Sequence, residues 1–126
     1  MKTLSMSDET TVQLLRRVIP FRFLSLEYKQ QLSREIERVE YAPGEIIIEQ
    51  GDPDDDAVYL IEAGSVNALQ VGEQTSFRIS IIFAGHYFGE WEPLFQTPRR
   101  LRISAREKTV CCRMAGRTFL QVLEDS

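Results

Sequence analysis

The residues best equipped for chemistry lie together in the stretch His86 to Ala105, HYFGEWEPLFQTPRRLRISA. Gly89 opens a short apolar turn, Trp91 to Phe95. A glycine there leaves backbone N–H groups without intrahelical partners, a setting that suits an anion. Glu90, beside it, can accept hydrogen bonds from sugar hydroxyls. Thr97-Pro98 then leads to Arg99, Arg100 and Arg102. A guanidinium offers a planar fork of donors that fits phosphate. These types at this spacing describe a pocket for a small phosphorylated sugar ring.

The rest of the chain shows no set of groups for catalysis. There is no serine, histidine and aspartate set, no carboxylate pair with a partner base and no Gly-x-x-x-x-Gly-Lys phosphate loop, so no enzyme is expected. His86 is the only histidine and reads as a solvated turn residue. The acidic run Asp52–Asp56 lacks the spacing of a calcium loop and reads as a solvated turn. Cys111 and Cys112 are adjacent, which suits neither a disulfide nor a zinc site. They read as reduced thiols on opposite faces of a strand, which points to a cytoplasmic protein. The 126 residues carry a formal charge of −4, which argues against nonspecific nucleic-acid or membrane-surface binding. No apolar run reaches the length of a membrane span, and the N-terminal residues lack a signal-peptide core.

Something must hold the His86–Ala105 stretch, and the hydrophobic period supplies it. Residues 1–7 read as loose chain. Over residues 8–37 the pattern predicts two helices. The first, begun by Ser7-Asp8-Glu9, carries Val12, Leu14, Leu15, Val18 and Ile19 and stops at Pro20. The second follows a Ser25 cap with Tyr28, Leu32 and Ile36 four residues apart. From about Arg38 the period falls to two. Short strands separated by glycine turns then run to residue 115, which predicts an antiparallel all-β sandwich or barrel. Gly116 opens a terminal helix over residues 116–126, with Phe119, Leu120, Val122 and Leu123 apolar. No repeat or linker divides the chain, so residues 1–126 form one domain.

The run APGEIIIEQGDPDDDAVYLIEAGSV, followed by GHYFGE and TPRRL, resembles the cyclic nucleotide-binding domain. Gly44, Gly51, Gly64, Gly85 and Gly89 fall where that family turns. The resemblance runs from about Val12 to Leu123 and is nearest the regulatory subunits of cyclic-nucleotide-dependent kinases. It implies a mainly β fold: an antiparallel, jelly-roll-like, eight-stranded β-roll with flanking helices and a short helix inside a phosphate-binding cassette, here residues 86–105. It also implies ligand-binding roles for Gly89, Glu90, Trp91, Glu92, Arg99, Arg100 and Leu101. Glu90 matches the acceptor of the ribose 2′-hydroxyl, Arg99 the partner of the cyclic phosphate, and Gly89 with the backbone at 91–92 the N–H donors.

The family usually reads Phe-Gly-Glu-Leu-Ala-Leu where this chain has Phe88-Gly89-Glu90-Trp91-Glu92-Pro93. Glu92 thus puts a second carboxylate near the phosphate. It reads either as an ion pair with Arg99 or Arg100 in an empty pocket, or as part of an arrangement that tolerates ligand. Trp91 reads as core or lid packing. Arg100 and Leu101 replace small residues, and the missing threonine at 100 disfavours cGMP. The expected function is a regulatory domain that senses a cyclic nucleotide, cAMP rather than cGMP, and relays it through Leu94 and Phe95 to the terminal helix. Its expected partner is a kinase catalytic or other effector domain, with no nucleic acid and no membrane. No cofactor is expected besides that ligand. The alternative is a degenerate domain that binds proteins or another ligand, such as a nucleoside.

Overall fold

The computed structural model describes residues 1–4, 12–13, 15–16 and 21–125. The first predicted helix therefore falls mostly outside the described residues, although Val12, Gln13 and Leu15 are helical and Leu15 is fully buried. The second predicted helix is present as α1, Leu26–Ser33, with the Ser25 side chain accepting from the Tyr28 N–H at 3.1 Å. That bond satisfies one of the free N–H groups of the first turn.

Nine antiparallel strands, one before α1 and eight after it, form two sheets among the described residues. The five-stranded sheet runs β1 (Lys2–Leu4), β2 (Glu37–Tyr41), β9 (Thr109–Met114), β4 (Val58–Ala63) and β7 (Tyr87–Phe88). The four-stranded sheet runs β3 (Ile46–Ile48), β8 (Arg102–Ala105), β5 (Ser65–Val71) and β6 (Ser76–Phe83). Helix α2, Trp91–Phe95, lies between β7 and β8, and α3, Gly116–Asp125, ends the described chain. The β-roll with flanking helices is thus the fold.

Two details correct the sequence reading. Residues 1–7 do not all run loose, because Lys2, Thr3 and Leu4 pair with Glu40, Val39 and Arg38 and make a ninth strand. Without them the outer edge of β2 would present unpaired backbone groups. The Met1 ammonium adds an ion pair to Glu45. The second detail concerns the cysteines. Both are fully buried although they point to opposite faces. Cys111 faces the roll interior with Val39, Tyr59, Ile61 and Phe88. Cys112 faces a second cluster, in which Phe21, Leu32, Phe119 and Val122 bring the helices onto the outer face of the sheet. Burial, chiefly, pushes both thiols up to about 12. The native chain should therefore show no thiol reactive to a disulfide reagent at pH 8, and two per chain once denaturant is added. A fast native reaction would place one of them at the surface.

Helix α3 seats on the roll through Phe119, whose ring lies 6.2 Å from Phe21 and 5.5 Å from Tyr87. Burying a side chain of that size stabilises by about 1.5–3 kcal/mol. Its first residue, Gly116, approaches the loops so closely that a Cβ would lie 2.6 Å from the Asp56 carbonyl oxygen and 3.0 Å from Pro93.

Candidate functional site

The site is built by the turn from β7 into α2. Gly89 sits at φ +85°, where other residues are strained, and a Cβ there would lie 2.9 Å from the Ala57 carbonyl oxygen. The turn can therefore press against the start of β4. Glu90 occupies the N-cap position of α2 but makes no side-chain capping bond. Pro93 fits the first turn of α2, where no N–H is required. The helix ends at Gln96 in the left-handed region, with φ 54°. From there the chain returns through Pro98 to Arg99.

Arg99 is the most constrained charged group in the structure's described part. Its side chain has no exposed surface. Nη1 donates to the Gly89 carbonyl at 2.7 Å and to Glu92 Oε1 at 2.9 Å. Nη2 donates to the Ala57 carbonyl at 2.6 Å and lies 3.2 Å from Asp55 Oδ1. Its Nε is buried without a hydrogen-bond partner among the described residues. The backbone is held as well: the Arg99 N–H donates to the Asp52 carbonyl, and the Gly51 N–H to the Arg99 carbonyl. The guanidinium charge is thus matched inside the protein by two carboxylates.

Sequence reasoning took Asp55 as part of a solvated turn. Instead Asp52 accepts from the N–H groups of Asp54 and Asp55, which folds the turn back and delivers the Asp55 carboxylate to Arg99. Three consecutive aspartates do not reveal which one turns inward. The signal lay in Asp52, whose side chain can fold the next two residues into an Asx turn. Exposed His86 agrees with its reading as a turn residue.

Above this network lies a cavity of about 140 Å³. Gly89, Glu90, Trp91, Glu92, Arg100 and Leu101 all line it, together with Ile48, Ala68, Ser80, Ile82 and Ile103 of the roll. Six of the seven expected ligand residues therefore share one cavity, and Arg99 stands outside its lining, tied to Glu92. Of the two readings of Glu92, the structure has the ion pair. Its Oε1 takes Arg99, and its Oε2 lies 3.4 Å from Arg100 Nε. Leu94 and Phe95 are exposed, at 43% and 56%, so it is Pro93 that meets α3 in this arrangement. A larger cavity of about 700 Å³ opens among Tyr41, Tyr59, Arg113 and the acidic turn. It holds none of Gly89, Glu90 or Arg100 and is not the candidate.

Glu90 is half-buried, and its carboxyl is raised above the ordinary value, first by burial and then by Glu92, while Arg100 and Arg99 pull it down. A raised carboxyl in the folded state stabilises fully below the unfolded value, 4.5, and that contribution is lost as pH climbs through the folded value. Glu90→Gln should therefore flatten the fall in stability just above pH 4.5, followed by thermal melts across pH. An unchanged pH slope would assign it to another group.

Residues 38–126 match the cyclic nucleotide-binding domain family, and the chain belongs to that family. Among its relatives is the cAMP-dependent protein kinase regulatory subunit of Blastocladiella emersonii, 33% identical over 98 residues. The match covers 75% of this chain and 24% of that protein, so the chain spans about a quarter of the relative's length. Among solved structures, the regulatory subunit of a cAMP-independent protein kinase A from Trypanosoma cruzi, bound to guanosine, superposes with TM-score 0.83 at 24% identity, covering 93% of this chain and 41% of that one. A mutant of the Trypanosoma brucei counterpart, bound to cAMP in its A site, gives the same TM-score, 0.83, at 24% identity over 93% of this chain and 43% of that one. That mutant replaces a glutamate by alanine and, seven and eight residues on, a threonine by arginine and a valine by alanine.

Proposed function

We propose that this chain is the ligand-sensing domain of a cytoplasmic kinase-regulatory protein, and that its pocket takes a nucleoside in preference to a cyclic nucleotide. One observation carries the preference: Glu92 Oε1 sits 2.9 Å from Arg99 Nη1, in the role a ligand phosphate would otherwise fill. Asp55, Glu90 and Glu92 against Arg99 and Arg100 leave the pocket one negative charge in excess before any ligand arrives. A cyclic phosphate adds another and meets the Glu92 carboxylate. A nucleoside adds none, and its ribose hydroxyls can donate to Glu90 and Glu92, which accept. The relatives bear on the reading at the same spacing, since seven and eight residues also separate Glu92 from Arg99 and Arg100. The cAMP-bound mutant has lost the glutamate that this chain keeps as Glu92, which favours the nucleoside, and has gained the arginine that this chain already has as Arg99, which favours the second reading below; the T. cruzi protein holds guanosine.

The second reading, cAMP sensing, is supported by Gly89, Glu90 and Arg99 at the family's spacing and by the cAMP-dependent relative. Calorimetric titration of the chain with guanosine, adenosine, cAMP and cGMP separates the two. The nucleosides should bind at least about ten-fold more tightly, a difference of about 1.4 kcal/mol. Tighter binding of cAMP overturns the preference. On either reading the output passes to α3 and to a kinase catalytic domain as partner.

A further inference from the structure

The cavity beside Glu90 measures about 140 Å³, whereas pockets for small organic ligands start near ~300 Å³. Something at its mouth must move before a nucleoside enters. Much of the wall given by the roll is fixed, since Ile48, Ala68 and Ile103 are buried core residues, while Ser80 and Ile82 form its more open edge. Three aromatic residues also line the cavity. Phe88 is buried and stacked on Tyr59 at 4.9 Å, and Tyr87 packs on Phe119 at 5.5 Å. Trp91 differs, being 42% exposed. The ring of Phe95 lies 4.2 Å from it, and the Arg100 guanidinium stands 4.2 Å from its centroid. Half of the Arg100 side chain is exposed, and its ion pair with Glu92 is long, at 3.4 Å.

We infer that Arg100 is the gate of this pocket and Trp91 the platform on which the ligand's base stacks. The inference rests on the nucleoside reading above. A guanidinium and a nucleobase are both flat and both bind the face of an indole, so they compete for one surface. Base stacking on an aromatic ring is the stronger of the two at an exposed site. The arriving base therefore displaces Arg100 into solvent. The same motion withdraws Arg100 from Glu92 Oε2 and leaves that oxygen free to accept from a ribose hydroxyl. Opening the mouth and unmasking the acceptor are one event, and together they select a flat base attached to a hydroxylated sugar.

Trp91 is the only tryptophan of the chain, so its emission reports the stack directly. The 126-residue chain and its Arg100→Ala and Trp91→Leu variants would be titrated with guanosine by calorimetry, and the tryptophan-bearing forms also by fluorescence. Arg100→Ala should bind guanosine about three- to five-fold more tightly, and its unbound emission should already differ from that of the wild type. Trp91→Leu should bind about ten-fold more weakly or worse. Guanosine should shift the wild-type emission. Equal or weaker binding by Arg100→Ala, undiminished binding by Trp91→Leu, or silent emission on binding each overturns the gate and leaves the nucleoside reading standing. If the wild type binds neither guanosine nor adenosine, both fall together.

Discussion

Glu92→Ala is expected to tighten cAMP binding by about 30- to 150-fold, or ~2–3 kcal/mol, and to leave guanosine equal or weaker. Two unit charges about 4 Å apart interact by about 4 kcal/mol at the effective dielectric of a protein surface, and part of this is screened at the pocket mouth. Removing the carboxylate abolishes that repulsion. It also frees one donor of Arg99, which a cyclic phosphate can then take up. Guanosine gains nothing from the change and loses an acceptor. Competitive calorimetry with both ligands on wild type and variant checks this. Equal cAMP affinity in the two proteins would show that Glu92 does not hold the phosphate position.

Arg99→Met should cost about 3–5 kcal/mol of stability, the range for breaking a buried ion pair from one side. Glu92 and Asp55 would be left facing each other without their cation. The carbonyls of Gly89 and Ala57 would lose their donors as well. For a chain of this length that amounts to a fall in melting temperature of roughly 10–20 °C. Glu92→Ala should cost much less, about 1–2 kcal/mol, because Arg99 keeps Asp55 and two carbonyls. Chemical denaturation of both variants measures the difference. If Arg99→Met melts with the wild type, the buried network contributes nothing and the guanidinium is free for a ligand after all.

The order of strands and helices was legible because glycine turns punctuate the chain and the period changes sharply near Arg38. Val39 and Tyr41, or Ile103 and Ala105, alternate into the interior as a half-covered strand requires. What lay on the far side of a strand was harder to read. Cys112 is buried only because Phe21, Leu32 and Phe119 arrive from distant parts of the chain, and alternation carries no trace of a covering helix. Lys2–Leu4 is too short and too polar to announce itself, and it is strand only through its pairing with β2. In the site, residue types and spacing brought six residues to one cavity. They left open whether Arg99 faces a ligand or the protein, because that depends on Asp55, more than forty positions earlier in the chain.

Gly116 gives the chain's first residue of α3 an unusual place in this network. The two carboxylates that hold Arg99 belong to Asp55 and Glu92. The residues directly after them, Asp56 and Pro93, are the ones that press on Gly116. Each of the two anions that hold Arg99 is therefore yoked through a single peptide link to the foot of the same helix. At the other end of that helix, Asp125 accepts from the Tyr28 hydroxyl of α1 at 2.6 Å. α3 thus spans the distance between the loops that carry both carboxylates and the N-terminal helix, touching the first at Gly116 and the second at Asp125.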